Sequence, residues 1–169
     1  PMSLGDSTLT LTGGGNLVSG GLDLNNVNSK LLLNSIIVDS VTTSVGNSLG
    51  VEVENDSVIN SFTVTNSTPV SIGSGKTLSG AIGVTAGSIK LTDTGTLAST
   101  VSMSGGTFDA DNSLTVSGAL MQSGDITIDV LVDQTLTYTG PPISLGSNKL
   151  SIDGAGTLSI APGNLFVLD

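Results

Sequence analysis

Apolar residues alternate with polar ones along almost the whole chain, in short stretches separated by turn-forming residues. A period of two is typical of strands with one buried face. Between the stretches stand Gly-Gly, Asn-Asn, Ser-Gly, Asp-Asn and Pro-Gly dipeptides, which favour turns. The pattern predicts short strands at these apolar pairs: Leu9/Leu11, Leu22/Leu24, Val51/Val53, Phe62/Val64, Ile89/Leu91, Leu114/Val116, Ile126/Ile128, Leu136/Tyr138, Leu150/Ile152 and Leu158/Ile160.

Helices are not expected anywhere in the chain. No window contains an apolar i, i+3, i+4, i+7 stripe that is free of glycine. Gly, Ser, Thr, Asn and β-branched residues dominate, and each of them is a poor helix former. The sequence therefore predicts an all-β protein.

The spacing of the strands indicates which all-β fold this is. Strand centres recur about every six to ten residues, and a coarser repeat of about twenty residues spans residues 1–169. We therefore predict a single parallel β-solenoid of about eight coils of roughly 20 residues, each with two or three faces. Coils stacked ~4.8 Å apart form a rod of about 40 Å. Columns of Leu, Ile and Val fill a thin core with no place for bulky rings.

Two other all-β architectures compete with the solenoid. An immunoglobulin-like sandwich predicts longer strands and usually an aromatic anchor in its core, and the sequence contains neither. A trimeric, interwound β-fibre of the viral tail type pairs short strands between chains and stays open as an alternative.

Charge and composition exclude several classes of partner. The net charge is −10, the four cations are all lysines and there is no arginine, so the chain lacks the cations that nucleic acids require. Anionic membrane surfaces are disfavoured for the same reason. Cysteine is absent, which excludes disulfides and thiolate metal sites. No apolar run approaches the length of a transmembrane span. The first residues, "PMSLGDSTL", lack the features of a signal peptide, so we expect a segment excised from a longer repetitive surface protein.

Two motifs resemble catalytic or nucleotide-binding sequences. "IGSGKTL" (72–78) invites comparison with a phosphate-binding loop, but Val70 stands where that motif needs glycine, and no helix can follow. "GNSLG" (46–50) matches a nucleophile elbow around Ser48. A serine triad needs an imidazole, and the chain contains no histidine. We expect neither motif to be functional.

Carboxylates are the remaining candidates for chemistry. "TFDADNSL" (107–114) places Asp109 and Asp111 on one face of a strand, with Phe108 and Ala110 on the other. The pair resembles the start of a calcium loop, and Asp109 and Asp111 are weak calcium candidates. However, leucines stand at positions 114 and 120, where that loop needs Gly and Glu. We expect these aspartates to act as turn formers and solubilising charges, without a cofactor.

The aspartates at 125, 129 and 133 have a spacing that brings side chains together on a helix but not on a strand. A carbohydrate-cleaving solenoid would combine acids with cations and aromatic rings, and Tyr138 beside Pro141 and Pro142 is an isolated candidate for such a ring. We therefore expect no enzymatic activity.

Threonine patterns of the kind found in ice-binding solenoids also occur. They are "TLTLT" (8–12) and "TVT" (63–65), and the motif does not recur coil after coil along the sequence. Ordinary outward-facing strand threonine explains them.

Two segments carry a resemblance to a known class of protein. "GKTLSGAIGVTAGSIKLTDTGTL" (75–97) and "NSLTVSGALMQSGDITI" (112–128) resemble the passenger domains of bacterial autotransporters and haemagglutinin-type adhesins, which repeat G-(T/S)-L-x-(L/V)-x-G units. The resemblance implies a right-handed β-helix exported to the cell surface. It brings no catalytic or receptor residue with it.

The sequence thus predicts a non-catalytic segment of an extracellular bacterial surface protein that acts as a stalk, fibre or adhesin. Its partners would be a surface glycan or protein receptor, or other copies joined through the coil ends, with the edge of "NLFVLD" (164–169) as the template. The alternative is a carbohydrate-binding or carbohydrate-cleaving β-helix, including the phage tail-fibre type.

Overall fold

The computed structural model describes residues 1–17, 21–45 and 48–164, and within these ranges it contains twenty strands and no helix. All ten apolar pairs named above lie in strands. The strands are β1 (Met2–Ser3), β2 (Thr8–Thr12), β3 (Asn16–Leu17), β4 (Leu22–Leu24), β5 (Lys30–Asn34), β6 (Ile37–Thr43), β7 (Gly50–Val53), β8 (Ser57–Val64), β9 (Thr68–Ile72), β10 (Thr77–Val84), β11 (Ser88–Leu91), β12 (Thr96–Leu97), β13 (Thr100–Met103), β14 (Thr107–Ala110), β15 (Leu114–Val116), β16 (Leu120–Gln122), β17 (Ile126–Val130), β18 (Thr135–Tyr138), β19 (Leu150–Gly154) and β20 (Thr157–Ile160).

Each described strand pairs in parallel with the equivalent strand of an adjacent coil. In the eight-stranded sheet, the order is β2-β5-β7-β9-β11-β14-β17-β19. Thr107 lies opposite Ser88, and Leu150 lies opposite Ile126, so one turn of the chain separates the members of each pair. The predicted β-solenoid of about eight coils, each of roughly 20 residues, is therefore confirmed. The sandwich alternative is wrong, because a sandwich pairs its strands antiparallel. Right-handed winding stays a prediction.

A coil has up to three faces. Face 1 is the eight-stranded sheet, and we number the coils 1 to 8 by its strands. The twelve-stranded sheet divides into two halves, which we call face 2 and face 3. The division is visible at β10, whose start (Thr77–Leu78) pairs with β12, whereas its end (81–84) pairs with β13. Face 2 continues through β15, β18 and β20, and face 3 continues through β16.

The corner between faces 2 and 3 lies inside a continuous strand in three coils. Two consecutive outward residues interrupt the alternation there, as at Asn60 and Ser61 in β8. The equivalent corner of β10 contains Gly80, whose φ is 112°. A Cβ at this position would overlap the carbonyl oxygen of Ile59 in the preceding coil. Glycine is therefore required both by the left-handed backbone and by the close approach of the preceding coil.

The core is a stack of inward-facing side chains from the faces. In face 1, one column runs Ile89, Phe108, Ile128 in successive coils, and each of these side chains is buried. The prediction of a core without bulky rings is wrong, because Phe62, Phe108 and Tyr138 are all buried. Beside Phe108, the next inward residue of the same strand is the small Ala110, which leaves room for the ring.

Polar groups at the corners are satisfied by the neighbouring coil. Buried Thr68 donates to the hydroxyl of Thr43 at 3.0 Å, and buried Ser99 donates to the carbonyl of Leu78 at 3.3 Å. The coils are therefore joined by side-chain hydrogen bonds as well as by the sheets.

The last described coil leaves part of its core column uncovered. Ile152 continues the column of Ile128, yet its exposure is 51%, against 1% for Ile128. The predicted template edge at 165–169 lies outside the described residues.

Candidate functional site

An ion-pair cluster occupies face 1 where coils 5 and 6 meet. The ammonium nitrogen of Lys90 lies 3.2 Å from Oδ2 of Asp109 and 3.0 Å from Oδ2 of Asp111. Lys90 stands directly opposite Asp109 in the pairing of β11 with β14. Phe108 and Ala110 turn into the core, so the predicted division of this strand into two faces is confirmed. The sequence analysis missed Lys90, which only the coil register brings to the two carboxylates.

The electrostatics of the cluster follow from partial burial and from the nearby charges. Burial raises the pKa of Asp109 above its ordinary value of 3.8; Lys90 opposes this shift, and the carboxylates of Asp111 and Asp129 add to it. The hydrogen bond with Asp111 is the largest cause that raises the pKa of Lys90 above 10.5, with Asp109 contributing further. Lys90 is therefore held in its charged form by the two carboxylates.

The acidic residues continue along face 1 in register. Asp129 lies opposite Asp109, and Asp153 lies opposite Asp129. Like charges stacked in adjacent strands repel one another, and Lys90 at one end of the column offsets part of this repulsion. Near the other end of the same face, Lys30 forms an ion pair with Glu52. Face 1 carries most of the charged residues that lie in the described strands, and Asp23 and Asp39 lie in the other sheet.

The two calcium candidates do not belong to a recognisable metal centre. Within the described ranges, no group of three or more acidic side chains is arranged to hold a metal ion. Leu114 and Leu120, the leucines at the Gly and Glu positions of the calcium loop, are both buried in the core. The expectation that Asp109 and Asp111 act without a metal ion stays a prediction, and Lys90 already supplies a positive charge between them.

The aspartates at 125, 129 and 133 do not converge, as expected for a strand. Asp125 precedes β17 and accepts a hydrogen bond from the backbone nitrogen of Lys149 at 2.8 Å. Asp129 is in the middle of face 1, and Asp133 follows β17 in a turn with a φ of 63°. Asp125 and Asp133 therefore act as corner residues at opposite ends of one strand.

The structure describes most of the two motifs that resemble nucleotide-binding and catalytic sequences. After Lys76 the chain continues as strand β10, and the backbone nitrogen of Thr77 donates to Asp56 Oδ1 at 2.8 Å. In a phosphate-binding loop this backbone N–H would donate to a phosphate, whereas here it donates to the Asp56 carboxylate. Ser48 is buried, and its hydroxyl has no hydrogen-bond partner among the described residues. Residues 46 and 47 of that motif lie outside them.

Tyr138 is not available to hold a sugar. Its ring is buried, and its hydroxyl donates to the carbonyl oxygen of Pro141 at 2.6 Å and accepts from the backbone nitrogen of Leu120 at 3.3 Å. Burial raises the pKa of Tyr138. Its role as a sugar-stacking candidate is therefore wrong: the phenol is a structural link between face 3 and the segment that follows β18.

A groove of about 440 Å³ lies beside β16, where the segment 141–148 borders face 3. Its apolar part includes the half-exposed Met121 and the adjacent Pro141. Gln122 contributes an amide whose nitrogen donates to the carbonyl of Leu145 at 3.2 Å and whose Oε1 is buried without a partner in the described structure. The described residues that line this groove include no acidic or basic side chain, so they supply no acid or base for catalysis.

A column of hydroxyl side chains runs along the outside of face 2. Thr77, Thr96, Thr115, Thr137 and Ser159 face one another in register in five successive coils. The full Thr-x-Thr motif is absent from most of these coils, but hydroxyl residues do recur from coil to coil, which the sequence analysis missed. The recurrence is hidden in the sequence because the coils are unequal in length.

Comparison with known proteins adds no assignment: no protein-family model, curated protein or solved structure matches the chain. In the part of the chain that the structure describes, no helix is long and apolar enough to cross a membrane.

Proposed function

We propose that this chain is a non-catalytic structural and adhesive segment of an exported bacterial surface protein of the autotransporter or haemagglutinin type. The observation that carries the proposal is the uninterrupted parallel stacking of eight face-1 strands. Each coil is fixed to the next by backbone hydrogen bonds along two or three faces. Such a stack resists bending and extension, which is the mechanical property that a stalk or fibre needs.

The distribution of charge supports a surface that makes contacts rather than one that performs chemistry. The strands β10, β12, β13, β15, β16, β18 and β20 contain no charged residue. Faces 2 and 3 therefore present uncharged, hydroxyl-rich surfaces over several coils, whereas face 1 carries the acidic column. The rod offers a partner two chemically different sides.

Adhesion is tested by displaying the chain on a bacterium that lacks other adhesins. Retention on glass, on immobilised glycans and on epithelial cells is measured under flow. The display of a Gly80→Ala chain, whose coils should not stack, is the matched control. We expect retention on at least one surface only with the parent chain. Equal retention with the two chains on all surfaces contradicts an adhesive role that depends on the folded rod.

We also propose self-association through the coil ends, supported by the exposure of Ile152 at the end of a core column. Light scattering is expected to show an apparent mass that rises with concentration. Ile152→Lys, which places a charge at that end, should lower the association, while Leu131→Lys, at another exposed apolar position, should not. A strict monomer at high concentration, or equal effects of both variants, contradicts this mode of association.

Carbohydrate binding is a second candidate, and the groove beside β16 is the observation that favours it. Neutral polar and apolar groups line the groove, which suits an uncharged glycan better than a charged ligand. A glycan array tests the candidate. Binding that is lost in Gln122→Leu but kept in Gln134→Leu supports the groove as the site. Release of reducing sugar that disappears when Asp109, Asp111 or Asp125 is changed to Ala would instead indicate a carbohydrate-cleaving enzyme.

A further inference from the structure

Asp153 and Gly154, at the end of β19, place a carboxyl group beside the backbone nitrogen of the next residue. This nitrogen, of Gly154, donates to Oδ1 of Asp153 at 2.8 Å. The sequence contains no other Asp-Gly dipeptide and no Asn-Gly dipeptide. Glycine has no side chain, so nothing on Gly154 hinders the approach of its nitrogen to the carboxyl carbon of Asp153. The contact is therefore the starting arrangement for a ring closure within one dipeptide.

The dipeptide is open to water. Asp153 and Gly154 are both exposed. The strand that carries them, β19, stands at the end of the eight-stranded sheet, so no other described strand covers its outer edge. Within the described residues, the carboxyl group of Asp153 makes no ion pair and no other hydrogen bond. Water and the neighbouring nitrogen are therefore the groups that can react with it.

The dipeptide of Asp93 and Thr94 provides a comparison within the same chain. The backbone nitrogen of Thr94 donates to Oδ1 of Asp93 at 2.7 Å, so the same contact is present. The β-branched side chain of Thr94, however, crowds its own backbone nitrogen. The other carboxylate oxygen of Asp93 accepts from the hydroxyl of Ser71 in the preceding coil at 3.4 Å. The two aspartates thus share the contact and differ in their freedom to close a ring.

We propose that Asp153 isomerises spontaneously to isoaspartate in the folded chain. The nitrogen of Gly154 attacks Cγ of the protonated Asp153 carboxyl, and a five-membered succinimide forms. The N–H proton and the carboxyl hydroxyl leave together as one water. Solvent water then opens the ring: cleavage between the nitrogen and Cγ restores aspartate, whereas cleavage between the nitrogen and the α-carbonyl carbon leaves isoaspartate. The product has the mass of the parent chain, with a backbone that runs through Cγ.

The modification changes the pairing at the end of coil 8. IsoAsp adds one carbon to the backbone at a position where Asp153 lies opposite Asp129 and Gly154 lies opposite Val130. Beyond it, the nitrogen of Gly156 donates to the carbonyl of Val130 at 3.0 Å. An added backbone atom moves these groups out of register with β17. We therefore expect the end of β19 to separate from the stack in the modified chain.

This modification goes beyond the surface-rod role and does not depend on it. A chain that resists isomerisation can still be a stalk, and a chain that isomerises need not adhere to a cell. The two proposals therefore fail in separate experiments.

The test incubates the purified, folded chain in neutral buffer and follows Asp153 by peptide mapping. Trypsin cuts after Lys149, so residues 150–169 form one peptide, in which electron-transfer dissociation and an isoaspartyl methyltransferase locate isoaspartate. We expect isoaspartate to accumulate at Asp153, with a minor species that lacks one water, while Asp93 stays unmodified. Thr94→Gly is expected to create a second site at Asp93, because it supplies the missing glycine.

Two variants at position 153 test the chemistry. Asp153→Glu keeps the charge but lengthens the side chain by one carbon, and it is expected to abolish the signal. Asp153→Asn closes the same ring with loss of ammonia and is expected to form isoaspartate faster than the parent chain. Both variants keep an outward polar side chain on β19, so their circular dichroism spectra should match that of the parent chain.

Hydrogen exchange and a free peptide test the part played by the fold. The Gly156 amide is expected to exchange faster in the modified chain than in the parent chain, because its bond to Val130 is lost. A synthetic peptide of residues 150–164 provides the unfolded reference. The proposal is overturned if Asp153 of the folded chain stays unmodified over the time in which the peptide isomerises, if Asp93 of the parent chain isomerises as fast as Asp153, or if Asp153→Glu leaves the signal unchanged.

Discussion

The ammonium of Lys90 lies 3.2 Å from a carboxylate oxygen of Asp109, which stands directly opposite it in the neighbouring coil. A full turn of the chain separates the two residues in sequence. Their contact exists only because the coils stack in register, so the charge state of the pair reports on the stacking.

The free energy of unfolding should depend on pH through this pair. Asp109 should act at acid pH and Lys90 at alkaline pH. The pKa of Asp109 is raised above 3.8, so its contribution is fully present below pH 3.8 and is lost as pH rises through the folded-state pKa. The free energy of unfolding should therefore fall as pH rises through the pKa of Asp109, and Asp109→Asn should remove this fall. A fall of the same size in the variant contradicts the assignment.

At high pH the same argument applies to Lys90. Its pKa is raised above 10.5, so the stability it contributes is present below pH 10.5 and is lost as pH rises through the folded value. Because the side chain is partly exposed, we expect at most about 1 kcal/mol, reduced further by salt. Lys90→Gln should remove this alkaline loss. Lys76→Gln is the matched control, since Lys76 makes no ion pair among the described residues.

Added calcium should leave the melting temperature of the parent chain unchanged, because Lys90 already lies between Asp109 and Asp111. Differential scanning calorimetry with and without millimolar calcium measures this directly, with magnesium as the control cation. A rise specific to calcium that is absent from Asp111→Asn would instead place a calcium site at this pair.

Two glycines of β10 should respond very differently to the same substitution. Gly80→Ala puts a Cβ against the carbonyl oxygen of Ile59 on a backbone with a φ of 112°, and it should cost several kcal/mol or prevent folding. Gly83→Ala, further along the same strand, meets nothing within 4 Å and should change stability by no more than about 0.5 kcal/mol. Urea unfolding measures both. Similar losses in the two variants contradict the corner at Gly80.

Removal of one hydroxyl tests the link between Tyr138 and its two backbone partners. Tyr138→Phe keeps the buried ring but leaves the Leu120 N–H and the Pro141 carbonyl without their shared partner. We expect a loss of about 1–3 kcal/mol in the free energy of unfolding. Thr137→Val, which removes an outward hydroxyl with no partner among the described protein groups, is the control and should have little effect. An unchanged stability in Tyr138→Phe contradicts the structural role of the phenol.

The fold could be predicted from the sequence because period-two alternation and closely spaced turns are local signals. Strands such as β7, with Val51 and Val53 inward, follow from that pattern alone. The buried rings of Phe62 and Phe108 could not be predicted from composition, since composition does not say which inward residues surround a ring once the coils are stacked.

Which residues become neighbours at the surface sites depends on the pairing register of the coils, and this register cannot be read from the sequence. The coils are unequal in length, so an error of one or two positions in one coil moves every later residue out of its column. This is why Lys90 was not associated with Asp109, and why Thr96, Thr115 and Thr137 were not recognised as neighbours. Asp109 and Asp111 were found because they are close in sequence.

Distances along one column of face 1 test the solenoid most directly. The chain lacks cysteine, so pairs of cysteines can carry spin labels at Thr8 together with Lys90, Asp129 or Asp153, which lie four, six and seven coils away. Double electron–electron resonance should give separations that increase in proportion, near ~19, ~29 and ~34 Å, because each coil adds ~4.8 Å. Separations that do not increase with the number of coils would contradict parallel stacking in register, and with it the rod on which the proposed functions depend.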